Sequence, residues 1–172
     1  MTGSASQRRR ILALVPHSKG LGYAVFEGVR SPVDWGLKRV RGDKNAATLA
    51  KASLLIGIYS PDTIVMEDVQ ESRRSERIKT LIATIAEYAS GLGIAVTFYD
   101  RQAVFLHFAY CGASTKHAIA KEIARRIPAL HARLPEPRKP WQSEDYRLSI
   151  FLASALCWLE LAATPGAETR DR

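Results

Sequence analysis

Thr63-Ile64-Val65-Met66-Glu67-Asp68 is a short apolar run that ends in a pair of acids. A run of this length, closed by charge, reads as a buried strand that surfaces at its last residues. Two other segments give it meaning. Well before it lies Ile11-Leu12-Ala13-Leu14-Val15, a continuous apolar run expected of a central strand covered on both faces. Well after it, Ser143-Glu144-Asp145 opens a long apolar stretch that reads as a helix to Leu161. Carboxylates at a strand end and at the head of a late helix are the donors a hard divalent cation takes. The three segments are therefore candidates to meet at one site.

Outward from these anchors the pattern is regular. Pro16 to Gly20 is a turn, and Gly22 to Glu27 is a second strand broken by Gly28 and Ser31-Pro32. Asp34 to Val40 alternates like a third, more exposed strand. Asp43 can cap a helix with Ala46, Leu49, Ala50, Ser53, Leu54 and Ile58 on one side, ended by Pro61-Asp62. Ser75 to Leu92 is strongly amphipathic: Ile78, Leu81, Ile82, Ile85, Ala89 and Leu92 fall at helical spacing. Ile94 to Tyr99 is a fifth strand. Helices follow over Gln102–Phe108 and Thr115–Ile127. Pro128 to Pro140 carries four prolines and reads as an irregular loop. Strands separated by helices are parallel crossovers, whereas the first three can be hairpin-linked. The expected fold is α/β: a mixed five-stranded sheet with helices on both faces.

The chain has 172 residues, enough for one domain with a real core. Its net charge of +8 favours a polyanionic partner, nucleic acid before an anionic membrane surface. No apolar stretch is long enough to span a bilayer, and Cys111 and Cys157 lack metal-ligand spacing. Two buried thiols suit a reducing compartment, so a cytoplasmic location is expected. Residues 1–10 read as a disordered basic arm, 11–162 as the domain, and 163–172 as a frayed tail.

Taken together, several of these segments resemble RuvC-type Holliday-junction resolvases of the ribonuclease H-like superfamily. Ile11 to Phe26, with Pro16, Ser18, Gly22 and Tyr23, resembles the opening strand, turn and second strand. Ile64-Val65-Met66-Glu67 resembles the strand that ends in a catalytic glutamate. Gly112-Ala113-Ser114-Thr115-Lys116 is similar to the family's Gly-rich turn, whose Lys opens a helix. Glu144-Asp145 and Ala153 to Leu156 resemble the final helix. The resemblance implies a ribonuclease H-like fold, Mg²⁺-dependent endonuclease chemistry, DNA as partner ahead of RNA, a role in DNA recombination, and a homodimer. The last helix, apolar on more than one face, suits full burial or a shared interface.

The departures matter as much. The family places an aspartate at the end of the first strand, where this chain has Val15. Further acids in its last helix correspond here to Phe151, Leu152 and Ser154. Two-metal hydrolysis needs hard oxygen ligands on both ions. Glu67, Glu144 and Asp145 are the candidates left for metal, and Glu67 can equally be a solvated or ion-paired strand-end acid. Glu144 and Asp145 also suit capping of the helix start. His17 is either an imidazole ligand or general base, or a plain turn residue. Lys116 either steadies a phosphate or sits exposed. Asp68 is placed to cap or to pair with Arg73 or Arg74, and Trp141 to stack on a base or pack.

Five basic groups stand out: Arg8-Arg9-Arg10; Lys38, Arg39, Arg41 and Lys44; Arg73, Arg74, Arg77 and Lys79; Arg125-Arg126; and Arg133, Arg138 and Lys139. Arg73, Arg74, Arg77, Lys79 and Lys116 are the expected nucleic-acid contacts. The three arginines fall outside the Ile78–Leu92 stripe and read as an exposed helix start. The sequence thus leads to a nucleic-acid-binding protein whose metal-dependent nuclease site is partly lost. A non-catalytic binder, or an interaction module on the same fold, is the alternative.

Overall fold

Ile11–His17 forms β1, the middle strand of the sheet, and every residue from Ile11 to Pro16 is buried in the computed structural model, which describes residues 8–164. It pairs antiparallel with β2 (Gly20–Phe26) and parallel with β4 (Thr63–Glu67). β3 (Pro32–Arg39) extends the β2 edge, and β5 (Ala95–Tyr99) pairs parallel with β4. The order is β3-β2-β1-β4-β5, the mixed five-stranded sheet expected.

Strand alternation sorts the core into two layers. Ile11, Ala13, Val15 and Val65 face one side, against α3 (Arg101–Phe108), α4 (Lys116–Arg126) and α5 (Leu148–Ala163). Leu12, Leu14, Ile64 and Met66 face the other, against α1 (Lys44–Tyr59) and α2 (Glu76–Gly91). Asp43, Ser75, Asp100 and Thr115 cap α1 to α4 by accepting from the N–H three residues on. Among the described residues no helix is long and apolar enough to cross a membrane.

Four expectations change. The α1 stripe keeps its period but not its phase: Thr48, Ala52, Leu55 and Ile56 are buried, whereas Leu54 and Ile58 are 53% and 59% exposed. Small residues at 48 and 52 let the helix approach the sheet. The last helix begins at Leu148 rather than Ser143, and Arg147 at its N-cap makes no side-chain cap. Asp145 accepts from the Arg147 N–H instead, a local turn that competes with helix. Glu144 and Asp145 therefore cap nothing. Pro128–Arg133 is a 3₁₀ helix, which Pro128 at its first turn favours, and not irregular loop. Finally, Arg9 pairs with Glu160 at 2.5 Å and Arg10 with Glu27 at 2.6 Å. Those two arginines serve the fold and do not belong to a free arm; residues 1–7 and 165–172 lie outside the described residues.

The apolar character of α5 is explained within the chain. It lies across β1, β2 and β4 and packs on α4, so Ile150 to Leu161 are buried except Leu152. At its start the backbone comes so close to β2 that a Cβ on Gly22 would sit 2.1 Å from Ser149 Oγ. Glycine is required there by contact.

Candidate functional site

β1 and β4 run parallel with Ala13 opposite Val65. Continued two residues further, that register sets Val15 beside Glu67, on the face covered by α5. Glu67 ends β4 and is buried, its side chain only 4% exposed. Its neighbours are cations. Arg74 Nη2 lies 3.7 Å from Oε2, and Arg101 Nη2 lies 3.5 Å from Oε1. Both distances are ion-pair contacts too long for a good hydrogen bond, and Oε2 has no hydrogen-bond partner. Arg74 also donates to the Pro16 carbonyl at 3.1 Å. One guanidinium thus spans the ends of β1 and β4. Arg101 was not foreseen; its signal was its place just after β5, at the head of a helix capped by Asp100.

His17 is the last residue of β1 rather than a turn residue. Its ring stacks on Tyr146 with centroids 4.8 Å apart. The Lys19 N–H donates to Nδ1, which leaves the proton on Nε2 in the neutral ring; Nε2 is buried without a partner. Burial, and then the charge of Arg74, lower the His17 pKa from 6.5 to about 4. A neutral ring with its lone pair already engaged is a poor general base.

The other expected residues are engaged as well. Asp145 pairs with Arg147 at 2.8 Å, and hydrogen bonds from that guanidinium hold its carboxyl below the usual range. Lys116 opens α4 and pairs with Glu144 at 2.8 Å. Arg77 donates to Asn45 and accepts from it through its carbonyl, tying α2 to α1. Lys79 donates to the Gln70 carbonyl and lies 3.8 Å from Glu76. Asp68 accepts from the Gln70 N–H and has no ion pair among the described residues. Arg73 is exposed and likewise unpaired among them. Among the described residues, Arg73 alone of the expected contacts remains free, and reversing Arg74 or Arg77 would damage the fold. Trp141, 78% exposed beneath Lys139, does not pack in the core.

These groups converge on a cavity of about 480 Å³ between the strand ends and the start of α5. Val15, His17, Arg73, Arg74, Arg77, Arg101, Lys116, Glu144 and Asp145 all reach its wall. Glu67 lies just behind, lining an adjoining cleft that shares Arg73, Arg74 and Arg101. A third cleft shares Asp145 and Tyr146 and adds Arg39, Arg133 and Arg147. The three depressions adjoin across the strand ends; the cavity and the third cleft carry an excess of cations, whereas the Glu67 cleft holds Asp68, Glu71 and Asp100 beside its three arginines.

No protein-family model matches the chain, and no curated protein matches it by sequence. Solved structures do match. A Thermus thermophilus RuvC structure aligns with a TM-score of 0.62 and 16% identity, over 87% of this chain and 92% of that one. T. thermophilus RuvC in complex with a Holliday junction substrate aligns with a TM-score of 0.60 and 13% identity, over 88% and 91%. The chain has the RuvC-like ribonuclease H fold.

Proposed function

We propose that this chain is a nucleic-acid-binding protein that holds duplex or branched DNA along the cavity and the arginine-lined cleft beside it, and that it does not perform two-metal hydrolysis. The observation that carries this reading is the Arg74 guanidinium between the ends of β1 and β4, beside Glu67. Two-metal cleavage requires several oxygen donors turned to one point. These residues do not fit Mg²⁺. Val15 offers no donor, Glu67 faces two guanidiniums, and Asp145 and Glu144 are each held by a cation. Among the described residues no three His, Cys, Asp or Glu side chains gather at metal-binding distance. The fold is that of a nuclease bound to a junction, but the cations here lie where ligands would be needed.

Binding does not need the acids. The net charge of +8, the linked clefts and the exposed Trp141 with Lys139 support a strand held by phosphate contacts and stacking. A salt titration of duplex, branched and single-stranded oligonucleotides tests this. Binding that falls steeply with salt, and falls further in Arg73→Glu, supports it. No binding at low salt would overturn it in favour of an interaction module. A homodimer would use a face other than α5, which its own chain covers; Leu54 and Ile58, one turn apart on α1, are exposed apolar residues on which it could rest.

A further inference from the structure

The 480 Å³ cavity falls in the range of roughly 300–1,000 Å³ that small-molecule pockets span. Its wall is divided. Val15, Val104, Phe105, Phe151 and Leu152 make an apolar floor. Arg73, Arg74, Arg77, Arg101 and Lys116 supply five cations, against the two acids Glu144 and Asp145. Both acids are already paired, and Arg73 has no ion pair among the described residues. Two donors on the wall, His17 Nε2 and Arg74 Nε, are shielded from water and have no acceptor. A buried donor without a partner is costly and is the usual mark of a missing acceptor. The site therefore asks for an anion with hydrogen-bond acceptors and a flat apolar body.

We infer that the cavity takes one nucleotide unit, its 5′-phosphate on Arg73 and Arg101 at the rim and its unstacked base on the half-buried Phe105 and Leu152. This rests on the nucleic-acid reading above, because the cleft of Arg39, Arg133 and Arg147 adjoins the cavity and leads a strand to its mouth. A strand lying along that cleft can turn one unpaired nucleotide inward. Such extrusion is cheapest at a bulge, a mismatch or a branch point, where stacking is already lost. Apolar residues where a nuclease needs acids thus become a recognition surface for the base. Aromatic stacking contributes about 1–3 kcal/mol per base, whatever its sequence. The pocket selects unpaired nucleotides over paired ones.

The test compares four probes by calorimetry and fluorescence: inorganic phosphate, 5′-dAMP, deoxyadenosine, and oligonucleotide duplexes with 2-aminopurine either paired or in a one-nucleotide bulge. The expected result is that 5′-dAMP binds about tenfold more tightly than either phosphate or deoxyadenosine, since each lacks one half of the contacts. The bulged 2-aminopurine changes its emission on binding and the paired one does not. Leu152→Trp fills the cavity and lowers 5′-dAMP affinity about tenfold while leaving plain-duplex affinity within about twofold. Arg101→Ala, at a half-exposed rim position, removes one phosphate contact and lowers 5′-dAMP affinity likewise, while Arg74 still faces Glu67 and keeps the fold. Duplex binding with no binding of 5′-dAMP and no emission change overturns the pocket and leaves the nucleic-acid reading standing. Equal affinity for phosphate and 5′-dAMP also overturns it. Binding of 5′-dAMP without binding of any oligonucleotide supports the pocket for a free nucleotide and overturns the strand reading. No binding of any probe overturns both.

Discussion

Replacing Arg74 by Met keeps the length of the side chain and removes the charge beside Glu67. At 3.7 Å the full Coulomb term is about 4 kcal/mol for an effective dielectric near 20. Breaking a fully buried pair costs about 3–5 kcal/mol, because the remaining charge is stranded. Two facts reduce that figure. Arg101 still faces Glu67 at 3.5 Å, and the Arg74 side chain is itself 27% exposed. The hydrogen bond to the Pro16 carbonyl adds about 1 kcal/mol. The expected loss is about 2–3 kcal/mol. Glu67→Gln in the same background should recover most of the charge term, so the double variant should be more stable than Arg74→Met alone. Urea denaturation of the wild type, both single variants and the double gives the coupling directly, about 1–2 kcal/mol. If Arg74→Met loses under 0.5 kcal/mol, or the two changes simply add, the guanidinium is not the partner of Glu67.

Three further outcomes follow from particular contacts. His17 is held at about 4 when folded against 6.5 when unfolded, so the unfolded chain binds the extra proton between those values and stability falls as pH drops from 6.5 to 4. Full expression would be about 3 kcal/mol, and partial exposure reduces it to roughly 1–2; His17→Gln should flatten that loss in denaturation curves taken at pH 7 and pH 4. Gly22→Ala puts a methyl 2.1 Å from Ser149 Oγ and should cost about 1–3 kcal/mol, read as a lower Tm; a neutral result would mean that α5 does not press on β2 as described. If chains pair, Leu54→Glu with Ile58→Glu should yield monomers in light scattering without loss of Tm, since both side chains are exposed.

The sheet could be read from sequence because its signals are local. Continuous apolar runs at Ile11–Val15 and Ile64–Met66 mark strands covered on both sides, and Asp43, Ser75 and Thr115 mark helix starts. The α1 stripe failed because Leu54 and Ile58 are more apolar than the small residues Thr48 and Ala52 that make the close approach. The site was legible as a list of places, since Val15, Glu67, His17, Lys116 and Asp145 do converge around one cavity and its adjoining cleft. Its electrostatics were not. Whether Arg74 faces solvent or turns back to Pro16 depends on the path of the loop between β4 and α2, which no periodicity encodes. The same holds for Arg101, whose approach to Glu67 exists only because β5 lies beside β4. An arginine run near an acid reads as a solvated face until the turn that folds it inward is known.

The central claim is that nucleic acid is held here without metal and left intact. The most direct measurement follows a labelled four-way DNA junction at low salt, with binding and strand cleavage read from the same mixture, in Mg²⁺, in Mn²⁺ and in EDTA. Binding in EDTA should be as tight as at matched ionic strength with Mg²⁺, and the strands should stay intact in all three. Cleavage that requires Mg²⁺ or Mn²⁺ and disappears in Glu67→Gln would contradict it.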